Sequence, residues 1–163
     1  MADQKIPMTP RGAQRLKEEL KRRKEVDRFQ IVRAIEEARG HGDLSENADY
    51  SAAKEAQSFN EGRIKELEVM LALSNIIDPA TLSGAKVVFG ATVKLSDSDT
   101  GDEVVYAIVG EQEADIKRGL ISISAPVARA LIGREVGDAV TVRTPKGSRE
   151  YEILAVQFKE IDL

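Results

Sequence analysis

The sequence contains no cysteine, no tryptophan and a single histidine. Without thiols the chain cannot form disulfides, thiolate zinc sites, iron–sulfur clusters or cysteine nucleophiles, and one imidazole is too few for a histidine-rich metal centre. Aromatic residues make up only 4%, which disfavours a protein that stacks single-stranded bases on exposed rings. The chemistry left to the chain is that of carboxylates, amides, hydroxyls and basic side chains.

Long apolar runs are also missing. No stretch approaches the ~20 apolar residues of a membrane-spanning helix, and the opening MADQKIPMTPRG lacks the apolar segment of a secretory signal. We therefore expect a cytoplasmic protein without membrane contact. The net charge is −4, whereas proteins that bind nucleic acid freely are usually basic. Any contact with RNA or DNA is expected to be local or arranged by a partner.

The first part of the chain has the composition of long helices. Residues from about 9 to 74 are rich in Ala, Glu, Lys, Arg and Leu. Thr9 before Pro10 predicts a helix start with a capping hydroxyl, and the helical pattern breaks at Gly40-His41-Gly42. Residues 1–77 are therefore predicted to form an antiparallel coiled-coil hairpin.

The apolar spacing predicts which residues lie between the two helices. On the first helix the heptad is imperfect, because Lys24 and Asp27 occupy expected apolar positions. The return helix has its clearest apolar positions farthest from the turn, and small or polar ones nearer to it. The predicted positions are Ala13, Leu16, Leu20, Ile31, Ile35 and Ala38 on the first helix, and Ala53, Ala56, Asn60, Ile64, Leu67 and Leu71 on the second.

The second part, residues 78–163, has β character after Asp78-Pro79 ends the helical region. Short β-branched runs are separated by turn signals, including Asp97 to Asp102 and Pro145-Lys146-Gly147. A short helix is predicted from Pro126 to Gly133. The predicted fold class is α+β, with a helical hairpin followed by a small, mostly antiparallel sheet with one helix. The predicted strands are KVVF, ATVKLS, EVVYAIV, GLISIS, AVTVRT and EYEILAVQF.

The turn between the two helices concentrates acidic residues. Asp43, Glu46 and Asp49 fall within seven positions. Asp43 and Glu46 are three apart, so on a first helical turn they would face the same way, and paired carboxylates suit a hard cation such as Mg²⁺. The same spacing fits a helix N-cap with an acidic residue at N3, favoured by the helix dipole. Both interpretations stay open at this point, although such caps are common.

Basic residues offer weaker signals. Lys21 to Lys24 with Arg28 form a cluster that fits a solvated face as well as a nucleic-acid contact. Arg39, His41 and Lys54 lie near the turn, where a positive group could meet a phosphate. The segment from Asp97 to Asp102 resembles a calcium loop only superficially, because its glycine is one place early and Ile108 stands at position twelve.

Six motifs follow one another along the chain: IPMTPRGAQRL, ARGHGDLSENADYSAAKEAQ, EGRIKELE, VVFGATVKL, YAIVGEQEAD and ISISAPVARALIG. Together they resemble the GreA/GreB family of bacterial transcript cleavage factors over essentially the whole chain. The resemblance implies a coiled-coil hairpin that enters the secondary channel of RNA polymerase and an FKBP-like second domain that docks outside it. The chain, expected as a monomer, would not itself be an enzyme. It would stimulate the polymerase to cleave backtracked RNA near its 3′ end.

The resemblance also implies roles for individual residues. Asp43 and Glu46 match the family's essential acids, which would help to hold a weakly bound Mg²⁺ in the polymerase active centre. Two metal ions assist phosphodiester hydrolysis by stabilising the attacking and leaving oxygens. The remaining matched positions are Arg39 and Lys54, which would guide RNA, Asn47 and Tyr50, which would support the tip, and Ser124 and Pro126, which would dock on polymerase.

Two alternatives belong to other functional classes. Some paralogues of the family occupy the polymerase channel without promoting cleavage, although the presence of both Asp43 and Glu46 argues against this. The FKBP-like second domain also suggests a peptidyl-prolyl isomerase. The few aromatic residues disfavour a proline-binding pocket of that kind.

Overall fold

The computed structural model describes residues 5–43 and 47–163. These residues form two compact units. One unit contains Ala13–Leu73, and the other contains Lys5–Gly12 together with Ser74–Leu163. The sequence predicts a single boundary between residues 77 and 78, whereas Lys5–Gly12 groups with the later residues. Within these described ranges, no helix combines the length and apolarity that crossing a bilayer requires.

Lys5–Gly12 joins the second unit through backbone pairing and one buried carboxylate. Its strand β1 pairs in parallel with β2, which begins at Ser74. Glu113 is buried and accepts hydrogen bonds from the backbone N–H and hydroxyl of Thr9 and from the N–H of Gly110. A side chain at Gly12 would overlap this carboxylate. The strands are β1 (Ile6–Met8) and β2 (Ser74–Ile76).

The first long helix begins where the sequence predicts. Pro10 is its first residue, and the Gly12 N–H donates to Thr9 Oγ1 at 3.1 Å, so Thr9 caps the helix. A hydrogen bond joins Asn47 to Ala38 near one end of the helix pair and others join Arg63 to Glu19 toward the other, so the helices are antiparallel. The elements are α1 (Pro10–Arg22), a π-helical turn (Arg23–Asp27), α2 (Arg28–Arg39) and α3 (Ala48–Ala72).

The π-helical turn lies where the heptad is imperfect. It contains both Lys24 and Asp27, and none of its residues is buried. A π turn shifts backbone hydrogen bonding from i→i+4 to i→i+5, which here brings the Arg28 N–H to the Arg23 carbonyl. Opposite this turn the seam between the helices is polar.

Most of the predicted seam is confirmed on either side of that turn. Leu20, Ile31 and Leu71 are half-buried, whereas Ala56 is exposed, so its predicted seam position is wrong. Met70, which the spacing does not select, is buried instead. The buried members among the predicted residues are Ala13, Leu16, Ile35, Ala38, Ala53, Asn60, Ile64 and Leu67.

The second unit is built on a five-stranded sheet of order β5-β4-β3-β7-β6. All neighbours are antiparallel except β4 and β5, which are parallel. Core side chains from the central strands pack with Ala128 and Leu131 of a short helix, so the predicted α+β class is confirmed. The elements are β3 (Thr92–Asp97), β4 (Glu103–Val109), β5 (Leu120–Ser122), α4 (Pro126–Leu131), β6 (Ala139–Thr144) and β7 (Gly147–Gln157).

The local turn signals hold, but one predicted strand is wrong. Residues 86–89, KVVF, make only an isolated bridge from Lys86 to Glu135, while Val87 is fully buried in the core. The run is apolar because it fills the core rather than because it pairs in the sheet. The helix α4 starts at Pro126 as predicted, and Gly133 follows its end with φ +87°, a conformation that favours glycine.

Candidate functional site

The candidate site is the tip of the hairpin, residues 40–47 between α2 and α3. Gly40 caps α2 with helical dihedral angles, and its N–H bonds to the carbonyl of Glu36 at 3.3 Å. Gly42 then takes φ +102°, which L side chains rarely adopt. Gly42 therefore ends the helical course of the chain, and Asp43, the next residue, lies outside any helix.

Asn47 ties the two helices together at the tip. Its Oδ1 accepts the Tyr50 N–H at 3.0 Å, which makes it the N-cap of α3. Its Nδ2 donates to the carbonyl of Ala38, in the last turn of α2, at 2.6 Å. One amide thus satisfies a terminal donor of one helix and a terminal acceptor of the other. An amide can make both contacts because it carries a donor and an acceptor on separate atoms.

Asp43 lies outside the helices, and its side chain is exposed. Because α3 begins at Ala48 with Asn47 as its cap, Asp43 is not the cap of this helix, and that interpretation of the Asp43-x-x-Glu46 spacing is wrong. The prediction that Asp43 and Glu46 face the same way on a first helical turn depends on the position of Glu46. Glu46 lies outside the described residues.

The other predicted tip residues surround this segment without converging on one point. Arg39 is the last residue of α2 and is exposed, and Tyr50 is half-buried in the first turn of α3. One turn farther along, Lys54 is exposed and its Nζ donates to Gln57 Oε1 at 3.1 Å. His41 Nδ1 lies 3.7 Å from an oxygen of Asp49, and both side chains are exposed.

The basic cluster farther along the hairpin is largely paired with acids. Arg22, Lys24 and Arg28 each lie within 4 Å of a carboxylate, and Arg28 makes a two-bond contact with Glu61 at 2.8 and 3.0 Å. The hydrogen bonds between Arg28 and Glu61 lower the pKa of the Glu61 carboxyl and raise the pKa of the Arg28 guanidinium. These pairs favour the solvated, charge-balanced face over a nucleic-acid contact.

Glu19 of α1 is the centre of an ion-pair cluster between the helices. Its carboxylate accepts from Arg63 of α3 at 3.0 and 3.1 Å and from Arg23 at 2.8 Å. The hydrogen bonds from Arg63, followed by those from Arg23, lower the pKa of Glu19 from 4.5 to about 2, against an opposing effect of burial. This ion-pair cluster joins α1 to α3 across the seam.

The predicted docking residues lie in the second unit, just before and at the start of α4. Ser124 is half-buried, its hydroxyl lies 2.9 Å from that of Ser122, and its N–H donates to the same Ser122 oxygen. Pro126 is exposed as the first residue of α4. Ser124 is therefore held by its own turn, whereas the Pro126 ring faces solvent.

The carboxylate oxygens at the tip are suitable ligands for a hard cation. Among residues 5–43 and 47–163, no group of three or more His, Cys, Asp or Glu side chains is arranged to hold a metal ion. The Asp43 carboxylate is the kind of oxygen ligand that Mg²⁺ accepts, and Mg²⁺ in proteins commonly uses only one or two carboxylates. The described residues therefore fit a partial ligand set.

Comparison with known proteins identifies the family. A family model described as "Transcription elongation factor, N-terminal" matches residues 6–76, and one described as "Transcription elongation factor, GreA/GreB, C-term" matches residues 82–158. "Transcription elongation factor GreA" of Magnetococcus marinus is 58% identical over 154 residues, covering 94% of this chain and 98% of that protein. The chain belongs to the GreA/GreB family of transcription elongation factors.

Other members of the GreA/GreB family extend the match. "Transcription elongation factor GreA" of Brucella canis is 59% identical over 155 residues, covering 95% of this chain and 99% of that protein. A crystal structure of GreA factor homolog 1 of Thermus thermophilus shares 29% identity at a TM-score of 0.43, covering 94% and 99% of the two chains. The two family models and the two GreA relatives confirm the resemblance read from the sequence motifs, and the N-terminal family model spans the whole tip.

The sequence analysis assigned no specific role to two residues that make buried polar contacts in the structure. Asn60 appears there only as a polar seam position, yet it is buried and bonded to Arg23 across the seam. A polar amide at an apolar heptad position is the signal that could have identified it. Glu113 gave no sequence signal, because its donors come from Thr9, more than a hundred residues away, and from Gly110.

Proposed function

We propose that this chain stimulates RNA polymerase to cleave backtracked RNA, with Asp43 and Glu46 as the acids delivered by the hairpin tip. The observation that carries the proposal is the exposed Asp43 at the tip of a helical hairpin in a GreA/GreB chain. A side chain that must complete another protein's active centre has to be accessible and has to be presented on a rigid support.

The Asn47 contacts supply that support. By capping α3 and bonding to the last turn of α2, Asn47 fixes the two ends between which Asp43 and Glu46 lie. Asp43 is four residues from Asn47 in the sequence and one from Gly42, whose left-handed conformation redirects the chain. The described residues on either side of positions 44–46 are thus held in place, which reduces the conformational entropy lost when the tip engages a target.

The exposed acid fits a shared Mg²⁺ better than a site owned by this chain. Asp43 and Glu46 would hold the ion together with ligands and phosphate oxygens from the elongation complex. When bound there, the ion would stabilise an oxygen of the phosphodiester undergoing hydrolysis. The chain's own contribution is to supply carboxylate ligands in a fixed place, so it acts on the polymerase without being the nuclease.

Other residues have supporting roles in this proposal. Arg39 and Lys54 are exposed on either helix beside the tip and can attract the RNA backbone. Docking by the second unit, with Ser124 and Pro126 at the contact, would raise the effective concentration of the tip at the active centre. This explains how a chain of net charge −4 acts on RNA without binding it freely.

The test uses a stalled, backtracked elongation complex with Mg²⁺ and the full chain. Wild-type protein is expected to shorten the RNA, and Asp43→Asn and Glu46→Gln are each expected to slow this by at least ~10²-fold, the scale of losing one well-placed stabilising group. The matched control is Asp49→Asn, which removes an exposed tip carboxylate from the first turn of α3. It should cleave nearly as well as wild type.

The same assay distinguishes the proposed cleavage factor from the alternative, a factor that occupies the polymerase channel without promoting cleavage. A chain that binds polymerase, lowers RNA synthesis and leaves the RNA length unchanged would be a channel-occluding factor. Equal cleavage by wild type, Asp43→Asn and Glu46→Gln would refute the proposed role of the acids even if the wild type were active.

A further inference from the structure

Within residues 13–43 and 47–73 of the hairpin, one polar side chain is buried in the seam between the helices. Asn60 of α3 is only 2% exposed. Its Oδ1 accepts from Arg23 Nη1 at 3.0 Å, and its Nδ2 donates to the Arg23 backbone carbonyl at 3.2 Å. Both halves of the amide are therefore satisfied by one residue of the opposite helix, as a buried polar group requires.

The π-helical turn belongs to this contact. The Arg23 carbonyl accepts the Arg28 N–H in the π turn and also the Asn60 amide. The Arg23 guanidinium is held in turn by Glu19, which also receives Arg63. Arg23 is thus held at its backbone and at its side chain. Asn60 can bond to the Arg23 carbonyl and to the Arg23 guanidinium at the same time in only one alignment of the two helices.

The apolar seam specifies that alignment weakly on the tip side of Asn60. There the buried members are Ile35, Ala38 and Ala53, and small side chains interlock less than the Ile64 and Leu67 on the other side. A single polar residue in an apolar helix seam sets register at a cost in stability. The Asn47 contact to Ala38 constrains the helices at the tip itself, and the Asn60 contact supplies a directional constraint farther along the seam, where the alanines lack one.

We propose that the Asn60–Arg23 contact is a register lock for the hairpin, and that Asn60 is thereby a positioning residue for the tip acids. Asn60 lies thirteen residues from Asn47 along α3, or roughly 20 Å of helix. A slip of one residue would move one helix end by about 1.5 Å against the other, and a slip of one turn by about 5.4 Å. Productive sites tolerate misplacements of only ~0.5 Å. The positioning role rests on the proposed cleavage function, whereas the lock itself does not.

Distance measurements test the lock without polymerase. Because the chain has no cysteine, spin labels can be placed on Arg33→Cys and Lys65→Cys, at exposed positions of α2 and α3. The labels are offset by roughly 20 Å along the helices, so a slip changes their separation. The doubly labelled chain that keeps Asn60 should give one narrow distribution of distances between the two labels. Asn60→Leu should add a second distance or broaden the first, while the exposed-site control Ser58→Leu should not.

Cleavage by the same variants, without labels, tests the positioning role. Asn60→Leu is expected to slow RNA shortening by about 10- to 100-fold, on the scale known for misplacements near 1 Å, with unchanged affinity for polymerase. A general loss of folding would lower both the rate of RNA shortening and the affinity for polymerase. If Asn60→Leu loses helical circular dichroism, the double variant Arg23→Met with Asn60→Leu takes its place, because it also removes the Arg23 guanidinium that would otherwise lack its Asn60 acceptor.

Each outcome decides one part. Unchanged label distances in Asn60→Leu overturn the lock. Altered distances with wild-type cleavage overturn the positioning role and leave the lock standing. If the wild type stimulates no cleavage at all, the proposed function fails and the positioning role with it, while the label distances still decide whether the lock exists.

Discussion

Replacing Glu19 by glutamine removes the charge that joins α1 to α3 and leaves the shape of the side chain nearly unchanged. In the folded protein its carboxylate receives two hydrogen bonds from Arg63 and one from Arg23. The side chain is 23% exposed, so solvent screens these contacts only in part. Glutamine keeps an acceptor oxygen but loses the charge and places an amide near two guanidinium groups.

The expected size of the effect comes from the pKa of Glu19. A decrease from 4.5 to about 2 corresponds to roughly 3 kcal/mol of stabilisation at neutral pH, since each tenfold change in proton affinity is about 1.4 kcal/mol. Because the folded-state pKa is depressed, this stabilisation is fully present above about pH 4.5. It declines as the pH falls below 4.5 and is lost as the pH falls through about 2, below which the carboxyl is protonated in both folded and unfolded states.

The assay is denaturant unfolding followed by far-ultraviolet circular dichroism, since α4 contributes only six helical residues and the hairpin dominates the signal. Near pH 7, Glu19→Gln should be less stable than wild type by about 2–3 kcal/mol. Near pH 2 the difference should shrink to about 0.5 kcal/mol or less, because the carboxyl is then at least half protonated in the folded state and protonated glutamate resembles glutamine in charge and size. The control, Glu18→Gln, alters an exposed neighbour bonded only to Gln14 among the hydrogen bonds of the described residues. A difference that is the same at both pH values would refute the ion-pair explanation.

Four further substitutions test other contacts by unfolding, with circular dichroism for the three in the hairpin and calorimetry for Glu113→Gln in the second unit. Asn47→Ala should cost about 1–2 kcal/mol, because α3 loses its N-cap and the last turn of α2 loses a donor; an unchanged midpoint would contradict the two-helix contact. Gly42→Ala should destabilise by about 1 kcal/mol because of the positive φ, whereas Gly62→Ala, within α3 and with open space around it, should stabilise by roughly 0.5–1 kcal/mol; equal effects would refute the conformational argument. Glu113→Gln should cost about 2 kcal/mol, since its amide nitrogen cannot accept from Thr9 or Gly110; a neutral result would contradict the buried acceptor.

The Glu19 cluster and the Asn60 contact meet at Arg23. Arg23 donates to Glu19 through Nε and to Asn60 through Nη1, and its guanidinium lies 5.7 Å from the centre of the Phe59 ring. Substitutions at Glu19 and Asn60 share this partner, so their effects on unfolding should not be additive. A double variant whose destabilisation equals the sum of the single effects would indicate that the two contacts are independent.

Local signals in the sequence were sufficient for most helix boundaries. Thr9-Pro10, Gly40 and Pro126 each act on backbone groups within a few residues, so their effect is readable without knowledge of the fold. The spacing of Leu16, Ile35, Ile64 and Leu67 likewise reflects the period of a helix, and these residues are buried. The family followed from ordered motifs along the chain, which the comparisons confirm.

The tip shows where local reasoning fails. Asp43-x-x-Glu46 and Asn47 both have residues that can cap a helix, and the sequence does not say which one the chain uses. Asn47 caps α3 in the structure because its amide can also reach the Ala38 carbonyl of α2. That second contact exists only when the two helices are packed together, so the choice is tertiary.

By itself the sequence determined the helical hairpin, the position of the tip and the α+β character of the chain, since these follow from composition, periodicity and adjacent residues. The tertiary structure alone decided that Lys5–Gly12 joins the second unit, that KVVF fills a core instead of pairing, and that Asn60 faces Arg23. Each of these depends on a partner far away in the chain. Burial and hydrogen bonding to such a partner arise only once the elements have been brought into contact.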